Sequence, residues 1–253
     1  MTRLRKMMIE ELQRRNYSDS TARGYLSAVA AFAEHFGKSP DQLGPNELRQ
    51  YQAYLLTKRK LAVGTVIARV AALRFFFVRT LNRHEFRQDL PYPKEQRRLP
   101  TVLSREEVGL LIDAVGNLQP RAVLMTLYGT GMRRTEASQL KVSDIDSRRM
   151  ILRVEHGKGG HDRDLPLSPA PLETLREYWR WMKPRAYLFP SDSGHRGKDQ
   201  PISDKSVWYA CTEAARQAGL RKRVTPHTIR HASAYYTTFQ SSFILRTIDL
   251  GHA

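Results

Sequence analysis

The chain has 253 residues, and its 42 Lys and Arg against 25 Asp and Glu give a formal net charge of +17, which indicates a polyanionic partner. Cys211 is the only cysteine, which excludes an intramolecular disulfide and favours a reducing, cytoplasmic setting. No apolar run approaches the roughly 20 residues of a membrane span, and the N-terminus lacks a run of signal-peptide length.

Amphipathic segments in the first 85 residues predict a bundle of three or four short helices. The first segment has N-cap candidates from Ser18 onwards and can end at Gly37. Its apolar stripe has the 3.6-residue period of a helix and consists of Tyr25, Leu26, Val29, Phe32, Ala33 and Phe36. The second segment follows Pro45 and leads into the basic run 58–60, and the third starts at Thr65. Core packing explains these stripes, while the surplus of outward-facing arginine favours contact with DNA.

Residues 86–101 contain three prolines and many charges without a helical period, which indicates an extended linker. Helical patterning returns at Ser104, where a capping-box sequence precedes an apolar stripe. Further along, two β-prone runs at 150–155 and 162–167 flank a glycine-rich turn. This pattern predicts a β-hairpin with Lys158 at its tip.

Basic residues in the second half have the types and order that suit one phosphate. Arg133 follows a glycine turn, and Lys158 lies in the hairpin turn. His227 and Arg230 stand three residues apart on a helix predicted to begin after a proline, and His252 follows some twenty residues later. Two guanidinium groups can bind the non-bridging oxygens of one phosphate in bidentate fashion.

In this order and spacing, the clusters resemble those of tyrosine recombinases, the family of phage integrases, Xer-type resolvases and integron integrases. The resemblance covers nearly the whole chain and is strongest over residues 104–231. It implies a mainly α fold, with a SAM-like helical core-binding domain at 1–85, the linker 86–101 and a catalytic domain from residue 102. The catalytic domain is expected to be mainly helical with a small β-hairpin or sheet. In the family the two domains close around DNA as a C-shaped clamp.

The resemblance also implies a role for each basic residue. Arg133 and Arg230 correspond to the two arginines that stabilise a pentacoordinate phosphate transition state. Lys158 corresponds to the general acid that protonates the departing 5′-oxygen, and His227 to an acid/base or hydrogen-bonding group. His252 corresponds to a histidine that hydrogen-bonds the scissile phosphate. A tyrosine attacks the phosphate in the family, and the resulting 3′-phosphotyrosine bond conserves the energy for rejoining, so the resemblance implies no metal or nucleotide cofactor.

The family places that tyrosine on the helix after the position of His252, whereas this sequence ends at Ala253. The resemblance therefore leads us to expect a catalytic domain, residues 102–253, that lacks its C-terminal end. The missing parts are the nucleophile and the helix through which relatives assemble as a tetramer. Tyr235 and Tyr236 are interpreted as core aromatics, because they follow Arg230 by one to two turns on a packed helix.

Glu136 fits the acidic residue that supports the family's site without acting as a catalyst. The prediction is site-specific recombination or integration of double-stranded DNA, at inverted-repeat half-sites, by a protein of a mobile genetic element. Three alternatives stay open at this point. The chain could be an inactive DNA-binding remnant or modulator of an intact relative, a type IB topoisomerase, which shares the phosphate-binding residues, or a basic protein tuned only for solubility.

Two other kinds of site are disfavoured by the sequence. His227 and His231 have the i, i+4 spacing used for zinc, but the residue after His227 is Thr228 where a zinc protease has a glutamate base. The hairpin turn lacks the P-loop pattern for nucleotide phosphates. We therefore expect neither a metal nor ATP.

Overall fold

A computed structural model of the chain describes residues 2–95, 99–155, 161–191 and 199–236. The chain divides into two compact units, Met1–Arg98 and Leu99–Ala253. The first unit consists of α1 Arg3–Arg14, α2 Asp19–Phe36, a 3₁₀ turn Pro40–Gln42, α3 Pro45–Thr57, α4 Val63–Arg74, a π-helical turn Phe75–Thr80 and α5 Phe86–Asp89. The three predicted segments are thus confirmed as α2, α3 and α4, and α1 is the fourth helix of the bundle.

The ends of α2 show how local sequence sets the helices of the first unit. The Ser18 hydroxyl accepts a hydrogen bond from the Thr21 N–H at 3.4 Å, and Gly37 closes the helix with φ +62°. Phe32 of the predicted stripe is fully buried and packs edge-on against Tyr51, with 5.1 Å between ring centroids. The stripes of α2 and α3 therefore meet in one aromatic core.

The expectation of an extended linker from residue 86 is wrong for its first residues. They form α5, in which the Phe86 ring stacks on Phe77 with a centroid separation of 4.6 Å. Leu90 is also fully buried in the core of the first unit. Burying two large apolar side chains stabilises this turn by several kcal/mol, roughly 1.5–3 for each, which outweighs the weak helical pattern of the segment.

The second unit is mainly helical with one small sheet. Its elements are α6 Arg105–Asp113, α7 Leu118–Thr130, α8 Arg134–Ser138, a 3₁₀ turn Val142–Asp144, β1 Ile145–Asp146, β2 Ile151–Val154, β3 Arg163–Pro166, α9 Pro169–Met182, α10 Asp204–Gln217 and α11 over residues 226–236. The strands pair antiparallel in the order β1-β2-β3, and Val154 lies opposite Arg163. The predicted hairpin is confirmed; β1, only two residues long, is too short to give a sequence signal.

The buried helix α7 organises the second unit. A Cβ added at Gly129 would lie 2.5 Å from Cγ of Pro171, so glycine at this position permits the close approach of α9. Cys211 on α10 is fully buried in the same core, and burial raises the pKa of its thiol to about 12, which confirms its interpretation as a buried thiol. Within the described residues, no helix is long and apolar enough to cross a membrane.

Candidate phosphate-binding site

Arg133 stands in a turn whose backbone is fixed on both sides. Gly131 ends α7 in the left-handed region with φ +61°, and the Thr130 hydroxyl donates to the carbonyl of Thr126 at 2.6 Å. Arg133 is the N-cap of α8, and its N–H donates to Oε2 of Glu136 at 2.7 Å. The Arg-x-x-Glu spacing thus places the glutamate of a capping box at the third helical position, where it holds the arginine's backbone.

Glu136 binds two arginine side chains through both of its carboxylate oxygens. Arg133 Nη1 donates to Oε1 at 3.0 Å, and Arg163 donates from Nη1 to Oε1 at 3.0 Å and from Nη2 to Oε2 at 2.6 Å. The Glu136 side chain is only 9% exposed. Burial by itself would raise the pKa of Glu136, but the hydrogen bonds from Arg163 and Arg133 outweigh it and lower the pKa to about 2. Glu136 is therefore a carboxylate throughout the physiological range.

The helix α11 carries Arg230 towards this turn. Its first turn is capped by Thr225, whose Oγ1 accepts from the Thr228 N–H at 3.2 Å. The helix passes close to the end of α7, because a Cβ added at Gly131 would lie 3.2 Å from Oγ of Ser233 on α11. The glycine that begins the arginine turn therefore also makes room for α11.

The charges of this cluster act on Arg230 as well. Burial lowers the pKa of Arg230, and repulsion from Arg133 and Arg163 lowers it further, while Glu136 opposes the shift. These interactions put three guanidinium groups within electrostatic reach of one carboxylate. An arrangement with this excess of positive charge, partly withdrawn from water, is suited to binding an anion such as a phosphate.

The structure brings together some of the predicted residues and leaves others untested. Arg133 and Arg230 share the cluster around Glu136. His227 is exposed on α11, three residues before Arg230. Lys158 and His252 lie outside the described residues. In the ranges that the structure describes, no group of three His, Cys, Asp or Glu side chains could hold a metal ion.

The interpretation of Tyr235 as a core aromatic is wrong, since this side chain is 50% exposed. Tyr236 is half-buried, and the Arg105 guanidinium carbon lies 4.9 Å from its ring centroid. The core of α11 instead uses its smaller residues, such as Ile229 and Ala232. At 100° per residue, Tyr235 lies about 140° around the helix from Arg230 and so is directed away from it.

Arg163 is the residue of this cluster that the sequence interpretation missed. The strand β3 alternates half-buried and exposed positions, and Arg163 shares the inward phase with Leu165, which packs on the core. Because successive strand residues point to opposite faces, an arginine in phase with a core leucine must find a partner beneath the sheet. That alternation is the signal that could have identified it.

Comparison with known proteins matches both units to one family. The model of the phage integrase family matches residues 101–239, and that of the phage integrase N-terminal SAM-like domain matches residues 4–85. The chain is 46% identical over 256 residues to the Sinorhizobium fredii integrase/recombinase y4qK, covering 100% of this chain and 81% of that protein. It is 32% identical over 259 residues to the tyrosine recombinase XerA of Pyrococcus furiosus, and the alignment covers 99% of this chain and 87% of that protein.

Solved structures show the same fold at lower identity. A lambda integrase dimer bound to a COC′ core site superposes with a TM-score of 0.72 at 19% identity, over 93% of this chain and 89% of that chain. A pre-cleavage complex of the XerH site-specific recombinase with its difH substrate gives a TM-score of 0.69 at 21% identity, over 94% of this chain and 74% of that chain.

Proposed function

This chain belongs to the phage integrase family of tyrosine recombinases, and on that premise we propose that it acts in site-specific recombination of double-stranded DNA. The proposed reaction is strand cleavage and rejoining through a 3′-phosphotyrosine intermediate, in which a tyrosine of a longer form of the chain, or one supplied in trans, attacks the phosphate and displaces the 5′-oxygen. The observation that carries the proposal is the cluster of Arg133, Arg163 and Arg230 around Glu136, which has more positive than negative charge and suits a phosphate.

Each site residue has a role in this proposal. Arg133 and Arg230 bind the non-bridging oxygens of the scissile phosphate and stabilise the extra charge of its pentacoordinate transition state. Lys158 protonates the departing 5′-oxygen, while His227 and His252 hydrogen-bond the phosphate or transfer protons. The phosphotyrosine bond retains the energy for rejoining, so this chemistry uses neither a metal nor a nucleotide.

The proposed substrate is a duplex with inverted-repeat half-sites, such as the ends of a mobile genetic element, on which copies of the chain associate. The net charge of +17 supports a duplex partner, because each Lys or Arg that neutralises a phosphate releases a counterion. A symmetric site is expected because assemblies of identical chains carry matching symmetry in their DNA.

A second candidate function is DNA binding without cleavage, in which the chain occupies recombination sites or modulates an intact relative. The specific observation that favours it is the orientation of Tyr235, which lies on the helix of Arg230 but is directed away from it. A chain without an attacking tyrosine would still grip the phosphate through its arginines.

Covalent trapping separates the candidates. The chain, alone and together with an intact relative that can supply the tyrosine in trans, is incubated with a nicked duplex built on the site that it selects from a random-sequence library, and adducts resistant to detergent are measured. Adduct formation at the selected site supports the recombinase, and selective binding without adduct supports the binder. Relaxation of supercoiled DNA without site preference contradicts both and favours a topoisomerase.

Replacing the exposed run Lys58, Arg59 and Lys60 by alanine is expected to weaken duplex binding and to flatten its salt dependence. Each lost phosphate contact reduces the magnitude of the slope of log K against log salt by about one. The slope of the triple variant should therefore be smaller in magnitude by up to about three. Fluorescence anisotropy at several salt concentrations measures this. Arg216→Ala is the control, because Glu213 already neutralises this exposed arginine. An unchanged slope in the triple variant would remove the first unit from the proposed DNA contact.

A further inference from the structure

We propose that Arg163 is a positioning residue that neutralises Glu136, so that Glu136 can orient Arg133 without cancelling its positive charge. The inference deepens the function proposed above and rests on it, because it concerns the same phosphate site. It assigns a role to a residue of strand β3 that would not itself touch the phosphate.

The side chain of Arg163 binds the Glu136 carboxylate more strongly than the side chain of Arg133 does. Arg163 makes the two parallel bonds of a fork-to-fork pair with both Glu136 oxygens, the strongest geometry available to an arginine and a carboxylate. Arg133 donates to Glu136 from its backbone N–H and from Nη1 alone. Within the described residues, Nε and Nη2 of Arg133 have no partner, so these donors remain for a phosphate.

The net charge of the cluster explains why the pairing of Arg163 with Glu136 helps phosphate binding. With Arg163 present, Arg133, Arg163, Arg230 and Glu136 have a net charge of two positive units. Without Arg163, the carboxylate and Arg133 would neutralise each other, and a single net positive charge would face the phosphate. Since Glu136 is only 9% exposed, water screens its charge poorly, and its effect on an anion beside Arg133 would be correspondingly strong.

The rival explanation is that Arg163 only fastens strand β3 to helix α8. Both explanations predict that removing Arg163 harms the site, but they differ when Glu136 is changed as well. If Arg163 serves to cancel a negative charge, then removing that charge makes Arg163 dispensable. If it serves only as a fastener, Glu136→Gln cannot restore what Arg163→Met has lost.

Binding of inorganic phosphate to the full-length chain tests the inference without requiring DNA cleavage. The shift of the Arg133 Nε–H signal in nitrogen-resolved NMR spectra reports the titration. We expect Arg163→Met to weaken phosphate binding about tenfold, the size of effect that one poorly screened charge exerts, and Arg163→Lys to weaken it about threefold. The double variant Arg163→Met with Glu136→Gln should bind within about twofold of the unmodified chain.

Arg153→Met is the matched control, because Arg153 also pairs with a carboxylate across the hairpin, Asp164 at 3.4 Å, but on the exposed side of the sheet. Its phosphate affinity should not change. The inference is overturned if the unmodified chain binds no phosphate, if Arg163→Met binds as well as it, or if the double variant binds as weakly as Arg163→Met. If Arg163→Met does not fold, the phosphate affinities of Arg163→Lys and of the double variant test the inference instead. Phosphate binding with the expected dependence but no DNA adduct would contradict the proposed cleavage alone.

Discussion

Arg133→Ala and Arg230→Ala are each expected to abolish DNA cleavage while leaving most duplex binding intact. The two guanidinium groups act on one phosphate and matter most when it acquires extra charge in the transition state, so each loss should lower the rate at least about 10³-fold. Duplex affinity, which is spread over many phosphate contacts, should fall by no more than about tenfold. Covalent adducts on a nicked duplex measure the first effect, and anisotropy measures the second.

The neighbouring arginine provides the control for this experiment. Arg134 differs from Arg133 by one position, but its guanidinium binds Asp204 at 2.9 Å, at a site that is about 40% exposed on both partners. Arg134→Ala should therefore retain cleavage within a few-fold and cost at most about 1 kcal/mol of stability. If Arg133→Ala and Arg230→Ala instead eliminate binding outright, these residues serve affinity in general and their catalytic assignment loses its support.

Glu136→Gln is expected to lower the free energy of unfolding at neutral pH by about 2 kcal/mol, after allowance for solvent screening around the partly exposed arginines. The hydrogen bonds of Arg163 and Arg133, opposed by burial, hold the pKa of Glu136 at about 2, below its usual 4.5. A depressed pKa in the folded state means that the contribution is fully present above about pH 4.5 and is lost as the pH falls through about 2. Denaturant unfolding across this range should show the two chains converging towards acid pH.

Glu11→Gln is the comparison for this stability effect. Hydrogen bonds from Arg14 and Arg15 also lower the pKa of Glu11 to about 2, and the Glu11 side chain is 15% exposed, but its partner arginines are 69% and 36% exposed. Solvent screening should limit the effect of this substitution to about 0.5 kcal/mol. Equal losses in Glu136→Gln and Glu11→Gln would mean that the partly buried cluster contributes no more than a surface pair.

Much of the fold is encoded locally and could be predicted for that reason. The stripe of α2 is ended by Gly37, and the hairpin is defined by two β-prone runs around glycines, so each is specified by a few consecutive residues. The arginine turn is predictable for the same reason, since Gly131, Arg133 and Glu136 lie within a stretch of six residues.

What the sequence did not predict depends on contacts between distant residues. Arg163 binds Glu136 across 27 positions, and no local pattern of charges specifies that pairing. Phe86 belongs to the first unit because its ring meets Phe77, although the segment around it has the composition of a linker. The position of Tyr235 after Arg230 predicts a core residue, but α11 packs its smaller residues inward and leaves this tyrosine exposed.

A double-mutant cycle between each arginine and each phosphate of the duplex tests whether Arg133 and Arg230 bind the same phosphate. Single neutral methylphosphonates are placed in turn along the selected site, and the affinities of the unmodified chain, Arg133→Ala and Arg230→Ala are compared. The proposed site predicts one position where neutralisation weakens binding of the unmodified chain about tenfold but weakens binding of each variant only about threefold, because one arginine still contacts that phosphate. A reduced effect at a different position for each variant, or at no position, would contradict a shared phosphate.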